Sequence, residues 1–436
     1  MTRRIHLSTL GCRLNEAELQ RWSWTLLAEG WTVLEQARGA EVVVLNTCAV
    51  TDEAARKSRQ AVKRLRQQCP DAALVLTGCL ATIDPTALGE LPADTLRVGN
   101  AEKDRLPELL RQRWPWAPTA PDPAHASAPS FATRPRRQRT RAFVKVQDGC
   151  RHRCAFCVVT LARGSERSLS AAAVVAEVAA LAEAGWQEAV LTGVHLGGWS
   201  EAPGRRLDAL VRAVLEGTRL PRLRLSSLEP WALPAPLWAL WQDPRLCPHL
   251  HLPLQSGSDR LLRRMARRGD RASYRRLIDA ARRAIPGLVF STDLLVGFPG
   301  ESDEDFAQTL ALCDQLAPTY LHVFPFSPRP RTAAAGFSEH VPTTVVDERC
   351  AQLRALGQAL LRTELARWVG STRPVLWEGS GEPVEGGALR RWWGLTDNYL
   401  RVTSTTAATV VLGNRIVPTR LIASDQAQLI GVPTLP

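Results

Sequence analysis

Lysine is scarce in this chain of 436 residues, where it occurs only at Lys57, Lys63, Lys103 and Lys145. Nearly all of the positive charge is therefore arginine, and the formal net charge is +12. A basic excess of this size is typical of proteins that bind a polyanion such as nucleic acid. The codon bias of a GC-rich genome produces the same excess of arginine, so charge alone leaves both interpretations open.

Long hydrophobic runs are also missing. No stretch reaches the roughly 18 uncharged apolar residues that a membrane span requires. The apolar part of MTRRIHLSTLGC is too short for the core of an export signal. These absences predict a cytoplasmic enzyme with no membrane association, whose ten cysteines stay reduced rather than forming disulfides.

Residues 1–112 alternate between strand-like and helix-like segments. RIHLSTL, EVVVLNT and AALVLTG are typical of strands, and helices are predicted from about Glu16 and about Glu53. This alternation indicates a parallel α/β sheet. Residues 113–140 are rich in proline, alanine and arginine without periodicity, and we interpret them as a linker between domains.

The strand–helix alternation resumes at Phe143 and continues through the range 141–370. Six segments are predicted to be strands: FVKVQDG, EAVLTGV, LRLSSLE, HLHLPLQ, LVFSTDLLVG and YLHVFPF. Six strands separated by helices favour an incomplete (βα)6 barrel over a closed eight-stranded one. A further helix is predicted around 344–369.

Residues 371–436 change to short β-rich pieces, RPVLWEG, NYLRVTS and TVVLGNRIVPTRLIAS, which predict a small β-barrel. The stretch GSGEPVEGGALRRWW has the composition of an insertion. Its Trp392 and Trp393 either stack on bases or fill the core, and core filling is expected for at least one of them. The chain is thus predicted to be α/β with domains at 1–112, 141–370 and 371–436.

Three cysteines of the first domain share one context, because Cys12, Cys48 and Cys79 each come directly after a predicted strand. The carboxyl ends of parallel strands meet at one edge of a sheet, so we expect the three thiols to converge there. Three ligands suit a [4Fe–4S] cluster with one open iron better than a structural zinc, which takes four.

The sharpest motif is the C-x3-C-x2-C triplet formed by Cys150, Cys154 and Cys157, directly after the strand FVKVQDG. Three cysteines on one loop can hold a cubane cluster and leave its fourth iron open. The alternative is a zinc site with His152 as fourth ligand, but an imidazole so close in sequence would strain the loop. The other cysteines, Cys69, Cys247, Cys313 and Cys350, have no partners at ligand spacing and are interpreted as ordinary thiols.

The triplet, with an aromatic residue before its last cysteine, resembles the radical S-adenosylmethionine superfamily. That resemblance implies that Cys150, Cys154 and Cys157 form the catalytic centre, where S-adenosylmethionine binds the open iron and is cleaved to a 5′-deoxyadenosyl radical. Positions expected to hold S-adenosylmethionine lie at strand ends of the barrel, at Gly193, Ser227, Glu229, Gln255 and Asp293. A structural role for each of these five residues stays open.

Six cysteines divided between an α/β domain and such a barrel resemble the methylthiotransferases. The blocks TLGCRLNEAE, LNTCAVTDEA, LTGCLA, VQDGCRHRCAFCVVTLARGSERS, LSSLEP, HLPLQSGSDRLLRRM and LLVGFPGESDEDF carry the resemblance over almost the whole chain. It implies two [4Fe–4S] clusters, S-adenosylmethionine and a tRNA substrate, with an electron donor and a sulfur source that the sequence does not identify. It also implies that residues 371–436 form a TRAM-like RNA-binding β-barrel.

LTGVHLGGW and HVFPFSPRPRTAA resemble the branch that converts N6-threonylcarbamoyladenosine at tRNA position 37 to its 2-methylthio derivative. The branch that acts on isopentenyladenosine usually has Gln-Asn-Val-Asn where this chain has Val194–Gly197. That branch, and a third that modifies an aspartate of a ribosomal protein, remain alternatives.

The residues are also compatible with two other functions. One is a radical enzyme with another substrate, and the other is a zinc-dependent RNA-binding protein. For RNA contact, the predicted helix 53–69 places a row of basic residues on one face, either solvated or facing phosphates. The row consists of Arg56, Arg59, Lys63 and Arg66.

Overall fold

The computed structural model describes residues 3–115 and 140–435, so most of the predicted linker 113–140 lies outside the described residues. The first sheet is parallel, with five strands in the order β2-β1-β3-β4-β5. Its strands are β1 (Arg4–Thr9), β2 (Thr32–Leu34), β3 (Val42–Thr47), β4 (Ala73–Gly78) and β5 (Leu96–Val98). Its helices are α1 (Arg13–Ala28), α2 (Asp52–Gln68), α3 (Cys79–Ile83) and α4 (Leu106–Arg113).

The predicted parallel sheet is confirmed. The run VVVLNT of β3 is buried at every residue, as expected for a central strand with helices on both faces. Helix α2 begins after Thr51, whose hydroxyl accepts a hydrogen bond from the amide of Ala54 at 3.1 Å. Helix α1 begins at Arg13, three residues before the predicted start. The edge strands β2 and β5 have three residues each, too few for a periodic pattern.

Six parallel strands build the second unit in the order predicted for an incomplete barrel. They are β6 (Arg141–Lys145), β9 (Glu188–Thr192), β10 (Arg222–Leu225), β11 (His249–His251), β12 (Val289–Val296) and β13 (Tyr320–Pro325). Two three-stranded sheets, β6-β9-β10 and β11-β12-β13, are joined through parallel bridges from Leu223 to Leu246 and from Ser227 to His251. In the part of the chain that the structure describes, no pairing joins β6 to β13, so the barrel is open.

Helices cover the outside of this barrel. They are α6 (Ala171–Glu183), α7 (Leu207–Gly217), α8 (Asp259–Arg264), α9 (Arg271–Ala284), α10 (Asp303–Leu316) and α11 (Thr343–Trp368). Helix α5 (Val159–Arg163) instead packs against α3 of the first domain. A short antiparallel pair, β7 (Gln147–Asp148) and β8 (Arg167–Ser168), precedes α6. Ala189 and Leu191 of β9 pack outward in the main apolar core. Alternation along the strand therefore turns Glu188 and Val190 toward the lumen.

The first domain closes the open side of the barrel. Ala17 of α1 packs with Phe143 and Val190, which face the lumen from β6 and β9. The amide of Phe143 donates to Oε1 of Gln20 at 2.9 Å. Residues of the first sheet domain are thereby brought next to the barrel interior.

The C-terminal residues form a closed barrel in the order β14-β15-β16-β18-β17, which confirms the predicted small β-barrel. Its strands are β14 (Thr372–Pro383), β15 (Leu389–Thr396), β16 (Arg401–Ala407), β17 (Ile416–Ser424) and β18 (Leu429–Pro433). The insertion-like stretch GSGEPVEGGALRRWW forms the paired ends of β14 and β15, with Glu382 opposite Arg391. Trp392 is 1% exposed and belongs to the core, as expected for one of the two tryptophans, whereas Trp393 is half-buried.

This small barrel covers the amino ends of strands in the open six-stranded barrel. Arg222, the first residue of β10, donates to the carbonyl oxygens of Leu395 and Pro374 at 3.1 and 2.6 Å. The ring of Tyr399 stacks on His249, the first residue of β11, with centroids 4.3 Å apart. One end of the lumen is closed, and the carboxyl ends of the strands are left for the site. Among the described residues, no helix has the length and apolar character to cross a membrane.

Candidate active site

The loop that carries Cys150, Cys154 and Cys157 follows β7 at the carboxyl end of the barrel. The amide of Cys150 donates to the carbonyl of Gly164 at 3.1 Å, and that of Cys157 donates to the carbonyl of Cys154 at 3.0 Å. Burial, together with the neighbouring thiols Cys154 and Cys150, raises the pKa of Cys157 to about 12. The three sulfurs are therefore close enough to act on one another electrostatically, and a cation is needed to hold them as thiolates.

The second triplet lies at the carboxyl edge of the first sheet. Cys12 precedes α1, Cys48 directly follows β3, and Cys79 is the first residue of α3. Burial raises the pKa of Cys48 to about 12, with Cys12 and Cys79 also raising it. A Cβ at Gly11 would lie 2.4 Å from Sγ of Cys48, so the close approach of that sulfur requires glycine. The three strand ends do bring the cysteines together, as we expected from the topology.

Both donor sets fit an iron–sulfur cluster better than a single metal ion. A tetrahedral zinc with Zn–S bonds of roughly 2.3 Å holds its ligand atoms roughly 4 Å apart. Among the described residues, neither cysteine triplet forms a group with all ligand atoms within 4.8 Å. A cubane instead distributes its cysteines over separate iron atoms. His152 is not a fourth ligand in such a group either, since its ring packs edge-on against His195 at 4.5 Å.

Glu229, predicted to hold S-adenosylmethionine, lies beside Cys150, Cys154 and Cys157, which we call the radical triplet after their predicted role. Its charge acts on the thiols of Cys150, Cys154 and Cys157. Nη2 of Arg267 lies 2.9 Å from its Oε2 and holds the carboxylate in place. Ser227, two residues earlier, is bridged to His251 of the neighbouring strand.

The other three predicted positions have contacts of their own. A Cβ at Gly193 would lie 2.9 Å from Oε1 of Gln147, so packing within the protein already requires glycine there. Gln255 has a positive φ of 78°, and its amide donates to the carbonyl of Asp293 at 2.8 Å. The expectation that Asp293 ends its strand is wrong: it lies in the middle of β12, with Oδ2 3.3 Å from Nε2 of His251.

A polar cluster beside Cys150 was missed by the sequence reasoning. Nδ1 of His195 lies 2.8 Å from Oε1 of Glu166, and the amide of His195 donates to Oε1 of Gln147 at 2.8 Å. Ligand atoms of Cys150, Glu166 and His195 lie within 4.8 Å of one another. The block LTGVHLGGW contains His195, but no spacing in the sequence connects it with Glu166.

Comparisons with known proteins agree with this architecture. The profile described as Radical SAM superfamily matches residues 144–313, and the profile described as Uncharacterized protein family UPF0004 matches residues 4–99. The structure of the radical S-adenosylmethionine methyltransferase TsrM from Kitasatospora setae has a TM-score of 0.56 at 18% identity, covering 77% of each chain, and shows the shared fold. The barrel and its cysteine loop thus define a radical S-adenosylmethionine enzyme.

Curated relatives identify the family within this class of enzymes. The chain is 33% identical to threonylcarbamoyladenosine tRNA methylthiotransferase MtaB of Chlamydia pneumoniae, over 98% of this chain and 97% of the relative. It is 38% identical to tRNA-2-methylthio-N(6)-dimethylallyladenosine synthase of Sorangium cellulosum, over 91% and 86%. The chain belongs to the family of radical S-adenosylmethionine tRNA methylthiotransferases. Its cofactors are accordingly S-adenosylmethionine and [4Fe–4S] clusters.

Proposed function

We propose that this protein 2-methylthiolates N6-threonylcarbamoyladenosine at position 37 of tRNA. The observation that carries the proposal is the place of the segment Val194–Gly197, whose sequence resembles the threonylcarbamoyladenosine branch. Its His195 is 3% exposed and is bonded to Glu166 beside Cys150. The segment that differs between the branches therefore lies beside the loop that carries Cys150, Cys154 and Cys157, called the radical loop below. Residues at this place are expected to contact the substrate or to position groups that do.

The six cysteines have separate roles in this proposal. Cys150, Cys154 and Cys157 would hold the cluster that binds S-adenosylmethionine, and Cys12, Cys48 and Cys79 would hold the second cluster. When bound, these groups supply the radical chemistry and the sulfur. The chain itself positions them, and α1 on the open side of the barrel keeps water from the lumen.

Binding of S-adenosylmethionine is assigned to Gly193, Ser227, Glu229, Gln255 and Asp293. Glu229 is the best supported, because it lies beside the radical triplet and Arg267 fixes its direction. Asp293 and His251 form a pair in the barrel lumen. Their polar atoms would hydrogen-bond a nucleoside bound there.

Contact with tRNA is assigned to two surfaces. On α2, Arg59 and Lys63 are exposed, whereas Arg56 is held by Glu53 and Arg66 donates to the carbonyl of Glu90. Of the predicted row, Arg59 and Lys63 are therefore the residues proposed to meet phosphates. The small barrel 371–436 is the second surface, with the half-buried Trp393 on its wall.

Isopentenyladenosine is the second candidate substrate. Relatives named for the dimethylallyladenosine reaction are as similar as those named for the threonylcarbamoyladenosine reaction, at 37% in Cereibacter sphaeroides against 32% in Bacillus subtilis. Identity over the whole chain does not separate the two branches. Only the local segments LTGVHLGGW and HVFPFSPRPRTAA favour threonylcarbamoyladenosine.

Mass spectrometry of tRNA nucleosides tests the proposal in cells that lack the protein and in cells where it is restored. The expected result is loss of the methylthio form of threonylcarbamoyladenosine, accumulation of its unthiolated precursor, and recovery on complementation. Restoration with Cys313→Ala, a buried thiol away from both triplets, is the matched control for Cys48→Ala. A response of the isopentenyl nucleoside alone would overturn the substrate, and no response of either would direct attention to the ribosomal aspartate.

A further inference from the structure

The two cysteine triplets are connected through two short helices. Helix α5 begins two residues after Cys157, and its Ala162 shares an apolar cluster with Cys79 and Leu80 of α3. Nδ2 of Asn100 donates to the carbonyl of Ala162 at 2.7 Å and lies 3.8 Å from Sγ of Cys79. The chain leaving the radical loop is thus held against a residue of the second triplet.

Arg163, the last residue of α5, extends this connection to the other two cysteines. Its side chain is 2% exposed, and its Nη2 donates to Oδ1 of Asn15 at 2.6 Å. The side-chain nitrogen Nδ2 of Asn15 in turn donates to the carbonyl of Leu10 at 2.7 Å and to that of Thr47 at 3.3 Å. Leu10 lies in the loop two residues before Cys12, and Thr47 is the last residue of β3, directly before Cys48.

Three cations, Arg163, Lys103 and Lys145, face three carboxylates, Glu18, Asp148 and Asp104, the last of which pairs with Lys145. Nη1 of Arg163 donates to Glu18 at 3.1 Å and to Asp148 at 2.9 Å. Lys103 and Lys145 also lie next to Glu18, at 2.6 and 3.6 Å. The positive charge of Arg163 also acts on the thiols of Cys12 and Cys79. Loss of that charge leaves excess negative charge beside the cysteines, and the buried setting screens it little.

We propose that Arg163 is a positioning residue of the Cys12–Cys48–Cys79 site. It locks Asn15 against the turns of Cys12 and Cys48, ties the site to the radical loop, and keeps a fixed positive charge beside its ligands. The inference rests on the proposed function, which assigns a cluster to these three cysteines. A nearby positive charge favours the more reduced, more negative state of a cluster, so Arg163 sets its reduction potential as well as its geometry.

The test uses the full chain with Cys150, Cys154 and Cys157 replaced by alanine, so that only the second site can hold a cluster. Iron per chain and the midpoint potential, followed by electron paramagnetic resonance, are measured for this parent and for Arg163→Gln and Arg163→Lys. Arg349→Gln is the matched control, because Arg349 is also buried and ion-paired, to Glu301 at 2.6 Å, away from both triplets.

The expected result is a more negative midpoint for Arg163→Gln, a midpoint near the parent value for Arg163→Lys, and no shift for Arg349→Gln. Asn15→Ala, which cuts the link without changing charge, is expected to lower iron retention with little shift in potential, and it serves if Arg163→Gln does not fold. An unchanged midpoint and iron content in Arg163→Gln, or in Asn15→Ala an iron content equal to the parent, would overturn the role. If the parent itself holds no cluster, the assignment of Cys12, Cys48 and Cys79 fails, and the role of Arg163 fails with it.

Discussion

Glu18 and Lys103 form a closed ion pair between α1 and the end of the first sheet domain, with Oε2 2.6 Å from Nζ and side chains 1% and 0% exposed. Arg163 reaches the other oxygen of Glu18 from the radical domain. One carboxylate therefore neutralises cations from both domains. Such a buried group is weak evidence of net stability, but removing one member leaves the others uncompensated.

Replacing Glu18 by Gln is expected to lower the free energy of unfolding by about 3–5 kcal/mol, because Lys103 and Arg163 lose their shared counter-charge. Urea unfolding of the apoprotein, followed by circular dichroism, measures the loss. Glu53→Gln is the control, since that carboxylate is exposed and its pairs with Arg56 and Lys57 lie at the surface. A loss no larger than that of the control would contradict the interpretation.

The stability of the apoprotein is expected to fall in acid through the same residue. Burial by itself would raise the pKa of Glu18, but Lys103, Arg163 and Lys145 outweigh it and lower the pKa from 4.5 to about 2. A lowered pKa stabilises the fold above pH 4.5, and this contribution is lost as the pH falls toward 2. Its size is about 3 kcal/mol.

Unfolding measured at a series of pH values checks this window. The wild-type chain should lose more stability on acidification than Glu18→Gln, since glutamine has no proton to bind. Parallel curves for the two chains would show that other carboxylates carry the acid sensitivity.

Substitutions in the two cysteine triplets should abolish different steps of the reaction. Cys154→Ala is expected to abolish formation of 5′-deoxyadenosine, whereas Cys48→Ala is expected to abolish methylthiolation and leave cleavage of S-adenosylmethionine uncoupled. Liquid chromatography of both products from reconstituted enzyme measures this. Cys313→Ala is the control thiol, and methylthiolation at the wild-type rate by Cys48→Ala would disprove the two-cluster assignment.

Glu229 provides a test of cofactor binding. Glu229→Gln keeps the shape of the side chain and removes the charge that Arg267 holds beside the radical loop. A lost hydrogen bond to a charged group weakens binding by about tenfold or more, so the Kd for S-adenosylmethionine should rise by that factor. Equilibrium binding to the cluster-loaded protein measures it, with Glu201→Gln as a control at a carboxylate near the surface. An unchanged Kd would remove Glu229 from the site.

Strand positions were largely predictable because their patterns are local. VVVLNT and LVFSTDLLVG are short, largely apolar segments rich in β-branched residues or leucine, typical of buried strands, and both form strands. GSGEPVEGGALRRWW has glycines and charges that are typical of loops, so its local pattern does not predict the strand ends that it forms. The closed barrel pairs it with the rest of the hairpin, and no local signal reports that pairing.

In the site, too, local features were predictable from the sequence and contacts between distant segments were not. Asp293 was expected at a strand end, but β12 continues to Val296 because β13 pairs with it along that length. His195 and Glu166 are far apart in sequence and meet only because two loops end at the same edge of the barrel.

By itself, the sequence determined the cysteine spacing, the order of strands and helices, and hence the kind of chemistry, because these depend on neighbours along the chain. Only the tertiary structure decided that Arg163, Asn15 and Glu18 form one buried network between the triplets. LARG and RLNE carry no periodicity or motif that indicates it. Burial of a charge depends on which distant groups compensate it, and only the folded chain brings those groups together.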